Sequence, residues 1–203
     1  MRLKLAVTAL ALILAATAGA EAAKLSGMGA NIFGNYFNFA KANLPKAPVS
    51  TITVGGLKVK LQGTKLAEIQ KRFGGTVQTS GEGAGAASWL CYHSSGSTTW
   101  FVSNALGAQE FVMMVAVEAA SKAPADCETA SDKFAAPDFG IPSIGATAAD
   151  LKAAFGAAAG NKIAYRNDRP GGYADIAQYI GYVLKGGKVS GLGVGETSIP
   201  TAH

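Results

Sequence analysis

A twelve-residue pattern occurs twice in this chain, 82 positions apart. Gly63-Thr-Lys-Leu-Ala-Glu68-Ile69-Gln-Lys-Arg-Phe73-Gly74 is echoed by Gly145-Ala-Thr-Ala-Ala-Asp150-Leu151-Lys-Ala-Ala-Phe155-Gly156. The two glycines, an alanine, an acid, a branched aliphatic and a phenylalanine stand in register. Each copy has a threonine to cap a helix, an apolar stripe and a glycine to stop it. Its recurrence predicts an architecture that uses one helical unit twice. Matches of Gly and Ala carry little weight in a chain with 26 glycines; the acid–aliphatic–Phe spacing carries the argument.

Residues 1–20 read as a secretory signal peptide: Arg2 and Lys4, an apolar run from Leu5 to Leu14, then Ala18-Gly19-Ala20 as a cleavage site. The run is shorter than the roughly 20 apolar residues of a membrane span, and no cysteine stands near the cleavage site to take a lipid. The expected location is the periplasm or the medium, with no stable membrane span after removal of the signal. Without Arg2 and Lys4 the basic residues fall from 18 to 16 against 13 acidic ones, a net charge of about +3. That mild charge shows no Lys/Arg cluster of the kind nucleic acid requires. Two cysteines, Cys91 and Cys127, are expected to form one disulfide in an oxidising compartment.

Residues 21–50 form an aromatic arm. Ile32, Phe33, Tyr36, Phe37 and Ala40 share a helical face, Gly34 weakens the helix, and Pro45 and Pro48 end it. The arm either packs on the body or binds a partner. In a first unit, 51–120, residues 51–54 and 57–61 predict a hairpin around Gly55-Gly56, followed by a helix capped by Thr64. A glycine-rich loop at 81–85 precedes three strands at 88–93, 98–104 and 110–118. Both alternation phases of the last strand are apolar, so it is predicted to be central. Residues 121–140 form a connector with a short helix expected around 127–134. A second unit, 141–198, repeats the plan: a helix capped by Thr147, then strands at 162–166, 177–184 and 188–194. Lys185-Gly186-Gly187-Lys188 turns the final hairpin. The fold class is therefore α+β, as two tandem repeats, each a helix packed on a three- to four-stranded antiparallel sheet.

A short strand, then G-[TA]-x-x-x-[ED]-[IL]-x-x-x-F-G, then a small meander resembles the helix–sheet module of SmpA/OmlA-type outer-membrane assembly proteins. Two such modules in tandem resemble the β-lactamase-inhibitor-protein family, whose sheet grips a protein partner. The resemblance covers about 57–118 and 141–196, and it matches only scaffold positions, so it implies a fold and a style of binding without any contact residue. The chain departs from it in its aromatic arm and in lacking a lipoprotein cysteine.

Chemistry is sparse. His93 lies two residues from Cys91, the spacing of a same-face pair on a strand, but a disulfide removes the nucleophile. The other histidine is His203, the last residue. Cys91, His93 and Cys127 lack a fourth metal ligand. Gly191-Leu-Gly193-Val-Gly195 lacks the following helix that a nucleotide loop needs and reads as a glycine-rich edge strand. Glu110 with Glu118, and Asp138 with Asp150, have no spacing that joins them in a cleft. No cofactor is implied. The aromatic residues Trp89, Tyr92, Trp100, Tyr179 and Tyr182 all fall on strands, and any of them on an uncovered sheet face would suit a protein interface. The resulting expectation is an exported, non-enzymatic protein-binding module, inhibitor-like or envelope-assembly-like. Its partner would be another exported or envelope protein. A secreted hydrolase and a small-ligand carrier are the alternatives.

Overall fold

Strand patterning and glycine turns build most of what the computed structural model describes, which is residues 24–200. The signal-peptide reading of 1–20 and His203 lie outside those residues. The elements, in order, are α1 (Gly27–Phe33), β1 (Ile52–Val54), β2 (Leu57–Val59), α2 (Leu66–Phe73), β3 (Gln78–Ser80), β4 (Ala87–Ser94) and β5 (Ser97–Asn104). There follow β6 (Met114–Ala119), β7 (Glu128–Thr129), α3 (Ala148–Phe155), β8 (Lys162–Arg169), β9 (Ala174–Lys185) and β10 (Lys188–Pro200). One sheet runs β3-β4-β5-β6-β10-β9-β8, with β7 beside β4; β1 and β2 pair separately. The class is α+β and mostly antiparallel, with three short helices.

The two meanders, β4-β5-β6 and β8-β9-β10, meet through their last strands, Gly193 opposite Ala116. A twist-compatible turn at Gly186 and Gly187 (φ 57° and 75°) makes the final hairpin. The sequence places β10 at an edge. In the structure it is central, pairing with β6 on one side and β9 on the other; its glycines face the arm and do not mark an edge.

Helices α2 and α3 pack on one face. Leu66, Ile69 and Phe73 of α2 and Leu151 of α3 join Leu90, Tyr92, Phe101, Val115, Ile180 and Tyr182 in one core. The second helix begins as expected: Thr147 Oγ1 accepts from Asp150 N at 3.3 Å, and Asp150 Oδ2 accepts from Thr147 N at 2.7 Å. These bonds to Thr147 hold the Asp150 carboxyl below its usual pKa. The first helix starts one residue later than expected. Thr64 accepts from Lys60 N instead, and Glu68 accepts from Lys65 N. No helix forms around 127–134; Glu128 and Thr129 pair in parallel with Tyr92 and His93 instead. The Cys91–Cys127 disulfide is present and ties that connector to β4.

Candidate functional site

Residues 24–50 clip around the sheet. Helix α1 lies on the face opposite α2 and α3, where Leu25, Met28, Ile32 and Phe37 bury with Trp89, Cys91, Trp100, Val102 and Ala116. The chain then rounds the outer edge of β8, where Asn43 N and Leu44 N both donate to Arg166 O at 2.9 and 3.0 Å. It continues on the helix side, where Asn167 Nδ2 donates to Leu44 O and Gln178 bonds both Val49 N and Val49 O. An exposed edge strand is thereby capped.

The face expected to be open is covered. Trp89 and Trp100 are buried beneath this clip, and Tyr92 and Tyr182 are buried on the opposite face. Only Tyr179 keeps partial exposure; its ring lies 5.1 Å from that of Phe39. The five aromatics therefore do not form one patch. The arm helix is also shorter than the sequence pattern, ending at Phe33, so Tyr36 and Phe37 follow it in a turn and bend.

The fit of the arm depends on missing side chains. A Cβ on Gly193 would lie 2.9 Å from Ile32 Cβ, one on Gly181 2.6 Å from the Phe37 ring, and one on Gly191 3.1 Å from Met28 Sδ. Alternate glycines thus make a trough on one side of β10 while Leu192 and Val194 fill the core on the other. Glu118 Oε2 accepts from Met28 N at 2.9 Å at the start of α1. The helix is otherwise weak: seven residues, two of them glycine, no side-chain cap from Ser26, whose hydroxyl donates to Asp126 Oδ1 at 3.4 Å instead, and no charge in its end turns. Beneath it the Trp89 and Trp100 Nε1 atoms are buried without an acceptor among the described residues.

On the other face the tyrosine hydroxyls find acceptors, while the Thr99 and Ser103 hydroxyls are buried without a partner among the described residues. Tyr92 OH donates to Gly74 O at 2.6 Å, Tyr182 OH to Pro142 O at 2.8 Å, and Tyr165 OH to Ala157 O. Burial pushes the hydroxyl pKa values of Tyr92 and Tyr182 well above the ordinary tyrosine range, with Glu128 and Tyr165 adding respectively.

The remaining sequence candidates have structural roles. His93 Nδ1 shares a 3.0 Å contact with Thr98 Oγ1, and Cys91 is oxidised. Glu110 pairs with Lys65 at 2.8 Å, while Asp138 Oδ1 accepts from Gly140 N. That pairing holds the Glu110 carboxyl low and the Lys65 ammonium high. Among the described residues no group of three or more His, Cys, Asp or Glu could hold a metal, and no helix is long and apolar enough to cross a membrane.

A second feature was missed by sequence reasoning. A pocket of about 450 Å³ opens between residues 46–52, the end of β2, and Arg169 and Glu196. Buried Glu196 accepts from Arg169 Nη2 at 2.7 Å, Gln62 Nε2 at 3.0 Å and Gln178 Nε2 at 3.3 Å. The available signal was a broken alternation: Glu196 follows Leu192 and Val194 in the core phase, and Gln178 precedes Ile180 and Tyr182. Compared with protein-family models, characterised proteins and solved structures, the chain matches none.

Proposed function

We propose that this chain is an exported protein-binding module whose partner site is the tryptophan face of its sheet, with its own arm as the resident occupant. The observation that carries this reading is the pair of buried indole N–H groups without acceptors beneath a glycine-rich, weakly capped helix. A buried indole N–H ordinarily finds a partner, and an orphaned donor costs about 1–3 kcal/mol. A partner segment that brings apolar side chains to the glycine trough and carbonyl oxygens to the indoles would satisfy the face better than the arm does. The partner is another exported or envelope protein, in keeping with the export signal read in residues 1–20.

Two tandem helix-plus-sheet units, 51–120 and 141–198 joined by 121–140, remain our reading of the chain's organisation. It is supported by α2 and α3 joining one core and by the two three-stranded meanders meeting at β6 and β10.

The test separates the arm from the face. Ile32→Asp loosens the arm and leaves the trough intact, whereas Gly193→Val fills the trough. A synthetic peptide of residues 24–40 should bind the I32D protein and not the I32D/G193V protein. An envelope protein retained by I32D should be competed off by that peptide. Equal binding of peptide and envelope protein to both variants sinks the proposal, as does an I32D protein whose tryptophan emission shows no opening.

A further inference from the structure

We infer that a second copy of this chain is one occupant of the tryptophan face, each copy laying its arm, residues 24–44, in the other's glycine trough. This exchange rests on the trough being a separable site, as proposed above, and names a partner for it. No new complementarity is needed. The arm of a second copy brings the same Met28, Ile32 and Phe37 to the same Gly191, Gly193 and Gly181. The face is therefore indifferent to which chain supplies the arm, and the strap that joins arm to body decides.

The strap is pinned at both ends and loose between them. Leu44 N donates to Arg166 O at 3.0 Å, and Leu44 O accepts from Asn167 Nδ2 at 3.0 Å. Val49 is held by Gln178 through bonds of 3.2 and 2.6 Å. Residues 45–48 make no hydrogen bond with the described residues. They run between two hollows, one of about 450 Å³ on the side of Arg169 and Glu196, the other of about 270 Å³ against Ala154 and Phe155 of α3. Pro45 and Lys46 are exposed. Little packing therefore resists lifting this segment. It is bent at Pro45, Lys46 and Pro48, whereas the chain from Leu44 to Val49 could span about 17 Å if extended. Leu44 and Ala47 each precede a proline and so prefer extended backbone, the form that an exchanged arm needs.

The body asks for no rearrangement. The arm is one continuous segment, and no strand of the sheet has to open when it lifts. Asn43 and Leu44 cap the β8 edge of whichever chain receives them, so neither copy is left with a bare edge. Two copies with crossed arms close about a two-fold axis that passes between their straps. On a single chain the tether keeps the arm at a high local concentration. The closed monomer therefore dominates dilute solution, and the exchanged dimer gains as protein concentration rises.

The test mixes two damaged chains, both without the signal peptide. Ile32→Asp spoils the arm and leaves the trough; Gly193→Val spoils the trough and leaves the arm. Both should keep the near-ultraviolet signal of the helix-side tyrosines, which reports a folded body. Each alone should be monomeric by light scattering after size exclusion. Their mixture should form a 1:1 complex of twice the mass, with tryptophan emission shifted back toward that of the parent. The peptide of residues 24–40 should bind I32D and displace G193V from that complex. If the peptide binds I32D but the mixture stays monomeric, the exchange is overturned and the trough survives as a peptide site. If the peptide does not bind I32D, both readings fall. A complex between I32D and the I32D/G193V chain, neither of which has an intact arm, also overturns the exchange, because association then runs through another surface. The parent should populate a dimer as its concentration rises; a parent that stays monomeric to its solubility limit overturns the inference as well.

Discussion

On the face under α2 and α3, three tyrosines bury their rings and pass their hydroxyls to loop carbonyls at Gly74, Pro142 and Ala157. On the face under the arm, two tryptophans bury larger rings and leave both indole N–H groups without acceptors. The covers differ in the same direction. One face is closed by two helices with Glu68 and Asp150 closing their first turns; the other is closed by a seven-residue helix with no cap from Ser26, its first turn bonded instead by Glu118 of β6. Burial alone thus does not distinguish a finished core from a covered site. The aromatic donors and the build of the two covers do differ, and the shorter cover marks the arm as the separable layer.

The sharpest way to break this comparison is to make the same truncation on each side. Phe101→Ala, in the helix-side core, should lower the free energy of urea unfolding by about 3–5 kcal/mol. Phe37→Ala, equally a buried phenylalanine, should cost less than half of that globally and raise hydrogen exchange mainly in residues 24–50. Equal global losses would mean that the arm is an integral part of the core.

Removal of the disulfide by Cys91→Ala with Cys127→Ala should cost about 4 kcal/mol for a loop of 36 residues. Differential scanning calorimetry should show one lowered transition. The near-ultraviolet signal of the helix-side tyrosines should survive at low temperature, because the bond ties the connector to β4 and does not touch that core.

Tyr182→Phe should cost about 1 kcal/mol by stranding the Pro142 carbonyl. It should also change the alkaline limb of stability. Burial raises the folded pKa of Tyr182 above its ordinary value of 10.0, so the folded chain holds a proton that the unfolded chain releases. Its contribution is whole below about pH 10 and is lost as pH climbs toward the folded value. A urea-midpoint series from pH 8 to 11 should therefore fall less steeply in Y182F than in the parent.

The smallest effect sharpens the contrast between helices. Thr147→Ala should lose roughly 0.5–1 kcal/mol through the lost cap of α3. Ser26→Ala should change urea stability by much less, since Ser26 makes no capping bond to α1.

Much of the fold was legible because it rests on local rules. The spans of α2 and α3, the hairpin at Gly186-Gly187, the central position of β6 and the Cys91–Cys127 pairing follow from periodicity, turn chemistry and cysteine count; the arm helix through Ala40 and a helix around 127–134 do not form. The candidate site was much less legible. The sequence offered Trp89 and Trp100 among five strand aromatics, but both phases of β4 are apolar, and alternation cannot say which segment covers a face. The glycines of β10 read as an edge because a side-chain pattern does not reveal what fills the space a missing Cβ leaves.

What the sequence determined by itself is the set of elements: two glycine-stopped helices, two antiparallel meanders and one disulfide, each specified by neighbours a few residues apart. Only the tertiary structure decided that Ile32 lies against Gly193, that the arm rounds the β8 edge, and that Arg169 meets Glu196. Those contacts join residues 27 to 161 positions apart. Their partners are chosen by shape, hydrogen bonding and charge in the folded chain, and no local periodicity encodes that choice.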